Sequence, residues 1–212
     1  MVIVAIKGAG RMARGIGTRA LAGGHEVHLL DDDPERAERL AAELAPHAAI
    51  AQVQAVADLG DADLVVVATP YPAGRDYVAG LGDLVNGAVV VDISNPVDFT
   101  TMDGLRTPPG TSAAEEMAAA SPGARVVKAF NTTFAKTLET GEVAGRPLDV
   151  FLAGDDTRAK EMVADLVESG GMRPIDAGPL RRARELEAFM FLNLTLQDRL
   201  GLNQESAIKI LS

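Results

Sequence analysis

The stretch Val2-Ile3-Val4-Ala5-Ile6-Lys7-Gly8-Ala9-Gly10-Arg11-Met12-Ala13 decides the fold. Val2 to Ile6 is an unbroken apolar run, as expected of a short parallel strand covered on both faces. A glycine turn follows at once, and Arg11 to Ala22 has helical composition closed by Gly23-Gly24. Glu26 to Leu30 reads as a second strand, and it ends on Asp31, about 20 residues beyond the turn. Strand, glycine turn, helix and acid-tipped strand make up the βαβ unit of a dinucleotide-binding fold. In that reading Gly8 permits the tight turn, Gly10 lets backbone approach a diphosphate, and Ala13 keeps helix close to strand. The diphosphate would rest on the free amides of the helix N-terminus, beside Arg11 and Met12. A glycine turn alone is weak evidence, because such turns serve many strand–helix connections; here the flanking elements and the acid agree with it.

The strand tip also sets a cofactor expectation. Asp31 would accept hydrogen bonds from the adenosine ribose, and Asp32 adjoins it. Asp33-Pro34 is better read as the cap and first residue of a helix over Glu35 to Leu44. A 2′-phosphate here would face carboxylates. Two like charges ~4 Å apart at an effective dielectric of 20 repel by about 4 kcal/mol, less once salt screens them. NAD(H) is therefore expected over NADP(H), with Arg11 and Arg36 as the residues that could soften the preference.

Further strands are expected at Leu64–Ala68, Ala88–Ile93, Arg125–Phe130, Asp149–Ala153 and Arg173–Ala177, and helices at Ser112–Ala120, Thr157–Ser169 and most of Leu180–Leu211. Strands alternating with helices give an α/β class: a Rossmann-type doubly wound, mostly parallel sheet with C-terminal helices packed on it. Residues 1–212 read as a single dinucleotide-binding domain, with 180–212 a helical extension. The Pro/Gly-rich stretch from Asn95 to Gly110 is a candidate mobile loop or a plain connection.

Composition narrows the function classes. The net charge of -10 argues against nucleic acid, whose phosphates need a basic face. Arg181, Arg182 and Arg184 could hold an anionic ligand, or simply begin a solvated helix. No apolar run approaches the ~18 residues of a membrane span, and no basic leader with an apolar stretch precedes the first strand. The absence of cysteine removes disulfides, thiol nucleophiles and cysteine metal sites, so a cytoplasmic setting is expected.

Acid–base candidates are few. His25 and His28 open the second strand, away from the strand ends where such sheets bind ligands, and His47 follows a helix; all three read as structural or exposed. Tyr71 ends a strand and is the one weak candidate for a proton donor, with a role as cofactor wall as the alternative. Lys128, inside a strand, is a dimer, site or structural charge. A Tyr-x-x-x-Lys dyad is missing, since Arg75 and Leu81 stand four beyond Tyr71 and Tyr77. Asp155-Asp156 reads as a helix-capping pair rather than a metal site, and no His/Glu cluster has ligand spacing.

Beyond the glycine turn, Thr69-Pro70-Tyr71, Ser94-Asn95-Pro96, Val126 to Thr132, Ala153-Gly154-Asp155-Asp156 and Arg173 to Leu180 occur in an order that resembles one family. These segments are similar to those of the NADP oxidoreductases that use the deazaflavin coenzyme F-420, related to the reductase domain of the Steap metalloreductases. The resemblance implies a homodimer in which nicotinamide stacks on a deazaflavin or flavin. By motif, Thr69, Pro70 and Tyr71 would pass along ribose and nicotinamide, and Ser94, Asn95, Pro96 and Val97 would border the nicotinamide end. Asn131 and Thr132 would line the second-cofactor pocket, closed by helix around Leu192–Leu196. Where NADP-using members carry serine and arginine for the 2′-phosphate, this chain has Asp31 and Asp32.

Hydride transfer between two bound rings asks little of side chains beyond holding them at roughly 3–3.5 Å and excluding water, whereas ketone reduction needs a positioned acid. Transfer between nicotinamide and coenzyme F-420 or a flavin is therefore the leading expectation. A reductase of a small carbonyl or imine with Tyr71 as donor stands second, and a non-catalytic NAD(H)-binding or redox-sensing module third.

Overall fold

The computed structural model describes residues 1–49 and 51–211; residue 212, the end of the expected extension, lies outside them. Among the described residues ten strands form in chain order: β1 Ile3–Lys7, β2 Glu26–Leu30, β3 Val53–Ala55, β4 Leu64–Val67, β5 Val89–Asp92, β6 Arg125–Lys128, β7 Glu142–Val143, β8 Arg146–Pro147, β9 Asp149–Gly154 and β10 Arg173–Gly178. The helices are α1 Arg11–Ala22, α2 Pro34–Leu44, α3 Ala73–Gly80, α4 Ala113–Ala120, α5 Ala135–Thr140, α6 Thr157–Ser169 and α7 Ala183–Leu200.

Eight strands make one sheet in the order β10-β9-β6-β5-β4-β1-β2-β3. From β3 to β6 every pairing is parallel; β9 runs antiparallel to β6, and β10 parallel to β9. The Rossmann-type α/β expectation is thus met, and the C-terminal ends of β1, β2, β4, β5 and β6 share one edge.

β4 and β5 are buried at every position, which is why β4 reads as a pure apolar run and β5 as three valines before Asp92. Helices α1, α2, α5 and α6 cover one face, where Ile16, Leu40, Leu138 and Val163 belong to one core cluster with Val4, Ile6, Leu29, Val127 and Leu152. Val78 of α3, Met117 of α4 and Ala183 of α7 pack on Val65, Val67, Val90 and Val126 on the other.

Several elements depart from the sequence reading. β3 is a three-residue edge strand with no apolar run to announce it. α3 contains Gly74 and follows Pro72, so it reads as turn, yet a Cβ on Gly74 would sit 2.8 Å from Val67 Cγ1. α5 has six residues, too few for a periodic signal. The C-terminal helix stops at Leu200 rather than continuing toward Leu211, because Gly201 takes a left-handed cap (φ 63°). The stretch Asn95–Gly110 folds back on itself through a Val97–Leu105 bridge and an Arg106 N–H bond to the Pro96 carbonyl at 2.6 Å.

The segment after α7 is tied down rather than trailing. The buried Asp149 carboxylate accepts from Arg173 Nε at 2.8 Å, Lys209 Nζ at 2.6 Å and the Ile210 amide at 2.8 Å. Burial alone would raise this carboxyl, but those donors outweigh it and hold the group down at about 2 against an ordinary 3.8. A depressed carboxyl contributes stability that is complete above its ordinary value and is lost as pH falls through the folded one. The contribution is on the order of 2 kcal/mol and fades as the pH falls through the folded value. Asp149→Asn should therefore lower stability at neutral pH and flatten its decline between pH 4 and 2, as read from urea melts across that range.

Candidate functional site

The glycine turn is built as its spacing demands. Gly8 has φ 105°, and a Cβ there would meet the Ala68 carbonyl oxygen at 2.7 Å, so only glycine fits between β1 and β4. Its amide donates to the Leu30 carbonyl at 2.7 Å, joining the turn to β2. Gly10 is extended and caps α1 without a side chain, and the space its Cβ would enter holds nothing within 4 Å. The first turn of α1 contains no acid, so its positive end is left unneutralised. Ala13 is wholly buried against the sheet. A group with a diphosphate fits this cradle: open space over Gly10, with the first-turn residues Arg11, Met12 and Ala13 beside it.

At the β2 tip the aspartates separate in role. Asp31 turns inward and accepts from the Ala9 amide at 2.8 Å and the Asp33 amide at 3.1 Å. Burial would raise its carboxyl, but those amides, with Arg36 at 3.4 Å and Lys7, keep it below the usual carboxylate range. Asp32 is 95 % exposed and pairs with Lys7 Nζ at 2.5 Å, while Lys7 also lies over the Tyr77 ring. Asp33 caps α2 through the Glu35 amide, as read from the sequence. Next to Asp31 opens a cavity of 450 Å³ lined by Leu59, Tyr77, Leu81 and Leu84.

Farther along the edge, four buried oxygen atoms have no hydrogen-bond partner among the described residues: Thr69 Oγ1, Ser94 Oγ, Asn131 Oδ1 and Thr132 Oγ1. They stand just past the ends of β4, β5 and β6. Buried polar atoms are nearly always paired, so four orphans along one edge are a surface with unmet hydrogen-bonding capacity. Phe130, just before Asn131, holds φ 58°, a conformation costly for a non-glycine residue and common where a site demands it. Asn95 and Asn131 are cross-bonded, Asn95 Nδ2 to the Asn131 carbonyl at 2.8 Å and Asn131 Nδ2 to Asn95 Oδ1 at 3.0 Å. Pro96 and Val97 are buried beside them, whereas Pro70 is exposed.

Tyr71 donates its hydroxyl hydrogen to Glu116, with Arg75 Nη1 3.5 Å from that carboxylate. Burial, and then the bond to Glu116, push its hydroxyl up to about 12. A phenol so committed is a poor proton donor near neutrality. Lys128 is fully buried between Asp92 and Glu187, and Asp92 and Glu187 escaped the sequence reading. Lys128 itself was the signal, since a lysine amid Val126, Val127, Ala129 and Phe130 must have a buried counter-ion.

The other charged candidates are structural. His25 accepts from the Val2 amide and bonds Ser169 Oγ at 2.7 Å, and His28 bonds Glu26 at 2.7 Å. Asp156 caps α6, and Asp155 accepts from the Leu180 amide at 2.9 Å. Arg184 is held by Glu115 at 2.6 Å and Arg182 by Glu185 at 3.1 Å. Among the described residues, no helix is long and apolar enough to cross a membrane.

Comparison with known proteins bears out the resemblance. A family model described as NADP oxidoreductase, coenzyme F420-dependent, matches residues 3–96. The F420-dependent NADP reductase of Methanothermobacter thermautotrophicus is 29 % identical over 94 % of this chain and 91 % of its own. A solved protein of Arthrobacter sp. FB24, put forward as an F420-dependent NADP reductase, is 30 % identical with a TM-score of 0.84, both chains being covered in full. The rat metalloreductase STEAP3 is 31 % identical over 87 % of this chain, which spans only 36 % of that protein. These names specify NADP, so they lend no support to the NAD(H) preference expected from Asp31 and Asp32. The matched glycine turn, the Ser94-Asn95-Pro96 edge and a full-length structural counterpart together make the chain a member of the F420-dependent NADP oxidoreductase family.

Proposed function

We propose that this chain binds a nicotinamide dinucleotide along the C-terminal edge of its parallel strands and moves hydride between it and a deazaflavin or flavin. The observation that carries the reading is the row of four orphaned oxygens at Thr69, Ser94, Asn131 and Thr132, together with the open space over Gly10. The diphosphate rests on the α1 amides beside Arg11, Met12 and Ala13. The adenosine sits by Asp31 and the neighbouring cavity, and the nicotinamide reaches Thr69-Pro70-Tyr71 and Ser94-Asn95-Pro96. Thr132 faces the second ring, and Asn131 stands at the junction of the two, its unpartnered Oδ1 on the nicotinamide side. When bound, the cofactors supply the hydride chemistry; the chain holds them, orients them and excludes water.

Residues 1–212 act as one domain, with 180–212 completing the second-ring pocket and supplying homodimer contacts in the cytoplasm. Exposed Phe189, Leu192 and Leu200 on α7 suit such contacts. NAD(H) is preferred to NADP(H), because Asp31 is held as an anion at the ribose position.

The test is an anaerobic screen of reduced coenzyme F-420, FMN and FAD against NAD⁺ and NADP⁺, following nicotinamide absorbance. Turnover with F-420 or a flavin, faster with NAD⁺, is expected; no change with any pair would overturn the reading. Tyr71→Phe discriminates the carbonyl-reductase alternative. Ring-to-ring transfer should survive it within about threefold in kcat, whereas a reaction that needs the phenol as acid would lose far more.

A further inference from the structure

Three charged side chains meet under the ring end of this edge. Lys128, Asp92 and Glu187 are each wholly buried. Lys128 Nζ donates to Asp92 Oδ2 at 2.7 Å, to Glu187 Oε1 at 2.7 Å and to the Ser94 carbonyl at 2.6 Å. Asp92 Oδ1 accepts from the Ser94 amide at 2.9 Å, so the cluster grips the Ser94 main chain by both its polar groups. Glu187 Oε2 accepts from the Ala113 amide at 3.1 Å, which brings in the start of α4. One residue earlier on α7, the Leu186 carbonyl accepts from Asn131 Nδ2 at 3.1 Å. The Asn131 Nδ2 hydrogens are thus engaged by Leu186 and Asn95, which leaves Oδ1 as the unpartnered atom, as Oγ is at Ser94.

A packing role alone accounts poorly for this arrangement. An apolar residue would seat a helix on a sheet at less desolvation cost than a buried ion cluster, which adds little net stability. What the cluster does fix is the Ser94 main chain, while the Leu186 carbonyl beside Glu187 holds the Asn131 amide, so that one hydroxyl and one amide oxygen are left unpartnered at the ends of the adjacent strands β5 and β6.

We propose that Glu187, acting through Lys128, is a positioning residue that presets Ser94 and Asn131 to recognise the nicotinamide carboxamide. Asn131 Oδ1 accepts from the carboxamide N–H, and the Ser94 hydroxyl donates to its carbonyl. This rests on the dinucleotide site proposed above.

The experiment is calorimetric titration of NADH and of ADP-ribose, which lacks the nicotinamide, into the full chain. Wild type should bind NADH more tightly than ADP-ribose. Glu187→Gln should cut that margin about fivefold while leaving ADP-ribose affinity within about twofold, and Ser94→Ala should do the same. The double variant should lose less than the product of the two, because both act on one contact. A mere loss of stability would move both ligands together. Should Glu187→Gln not fold, Glu187→Asp keeps the charge but withdraws it by one methylene, and the same ratio is read. An unchanged NADH to ADP-ribose ratio, or losses that multiply in full, would overturn the proposal. Failure of wild type to bind either ligand would instead remove the site on which it rests.

Discussion

Gly10→Val should abolish measurable dinucleotide binding while leaving the protein folded. Gly10 sits at φ -93°, ψ -171°, an extended conformation that valine adopts readily, and a Cβ there enters empty space. The folding penalty is confined to exchanging a favoured glycine helix cap for a poor one, about 1 kcal/mol. The same empty space is where a diphosphate would approach the backbone, so the new methyls take the ligand's place. A loss of at least about a hundredfold in Kd, or roughly 2.7 kcal/mol, is expected by calorimetry with NADH, with a melting temperature close to wild type. Gly8→Ala makes the contrast. It forces alanine to φ 105° with its Cβ 2.7 Å from the Ala68 carbonyl, so there the fold itself should weaken. Undiminished binding by a folded Gly10→Val protein would show that the cradle is not used.

The largest stability effect is expected at Lys128. Burial by itself would strip its proton, but Asp92 and Glu187 outweigh burial and hold its ammonium above the ordinary lysine range. Burial pushes the Glu187 carboxyl up, and the pull of Lys128 opposes that rise. Lys128→Met removes the single cation from between two buried carboxylates, which should cost about 3–5 kcal/mol. Against a typical domain stability of roughly 5–15 kcal/mol that is a large fraction, visible as a much earlier urea midpoint. Adding Asp92→Asn and Glu187→Gln to Lys128→Met should recover part of the loss, since no buried charge then lacks a partner. A midpoint shift worth less than about 1 kcal/mol for Lys128→Met would mean that the cluster is not dry, contrary to the geometry.

How much could be read from the chain alone depended on whether the cause was local. The β1–α1–β2 unit was legible because an apolar run, two glycines and an acid each have a near-neighbour reason to stand where they do. The caps at Asp33 and Asp156 were legible for the same reason: each bonds an amide two or three residues on. α3 was hidden because Gly74 is needed for close approach to Val67, yet glycine in isolation reads as a turn. Glu187 was hidden because α7 also carries Glu185 and Arg184, so it reads as one more surface acid. Its partner Lys128 is 59 positions away in the chain and meets it only once β6 and α7 have docked. The turn of Asp31 toward the Ala9 amide, and the commitment of the Tyr71 hydroxyl to Glu116, likewise depend on packing between distant segments.

Titration of the purified chain with NADH and with NADPH, at matched salt, bears most directly on the central claim that the glycine turn and α1 amides hold a dinucleotide. Saturable uptake of NADH at micromolar concentration, with NADPH weaker, is the expected result. No saturable uptake of either coenzyme up to millimolar concentration would contradict it.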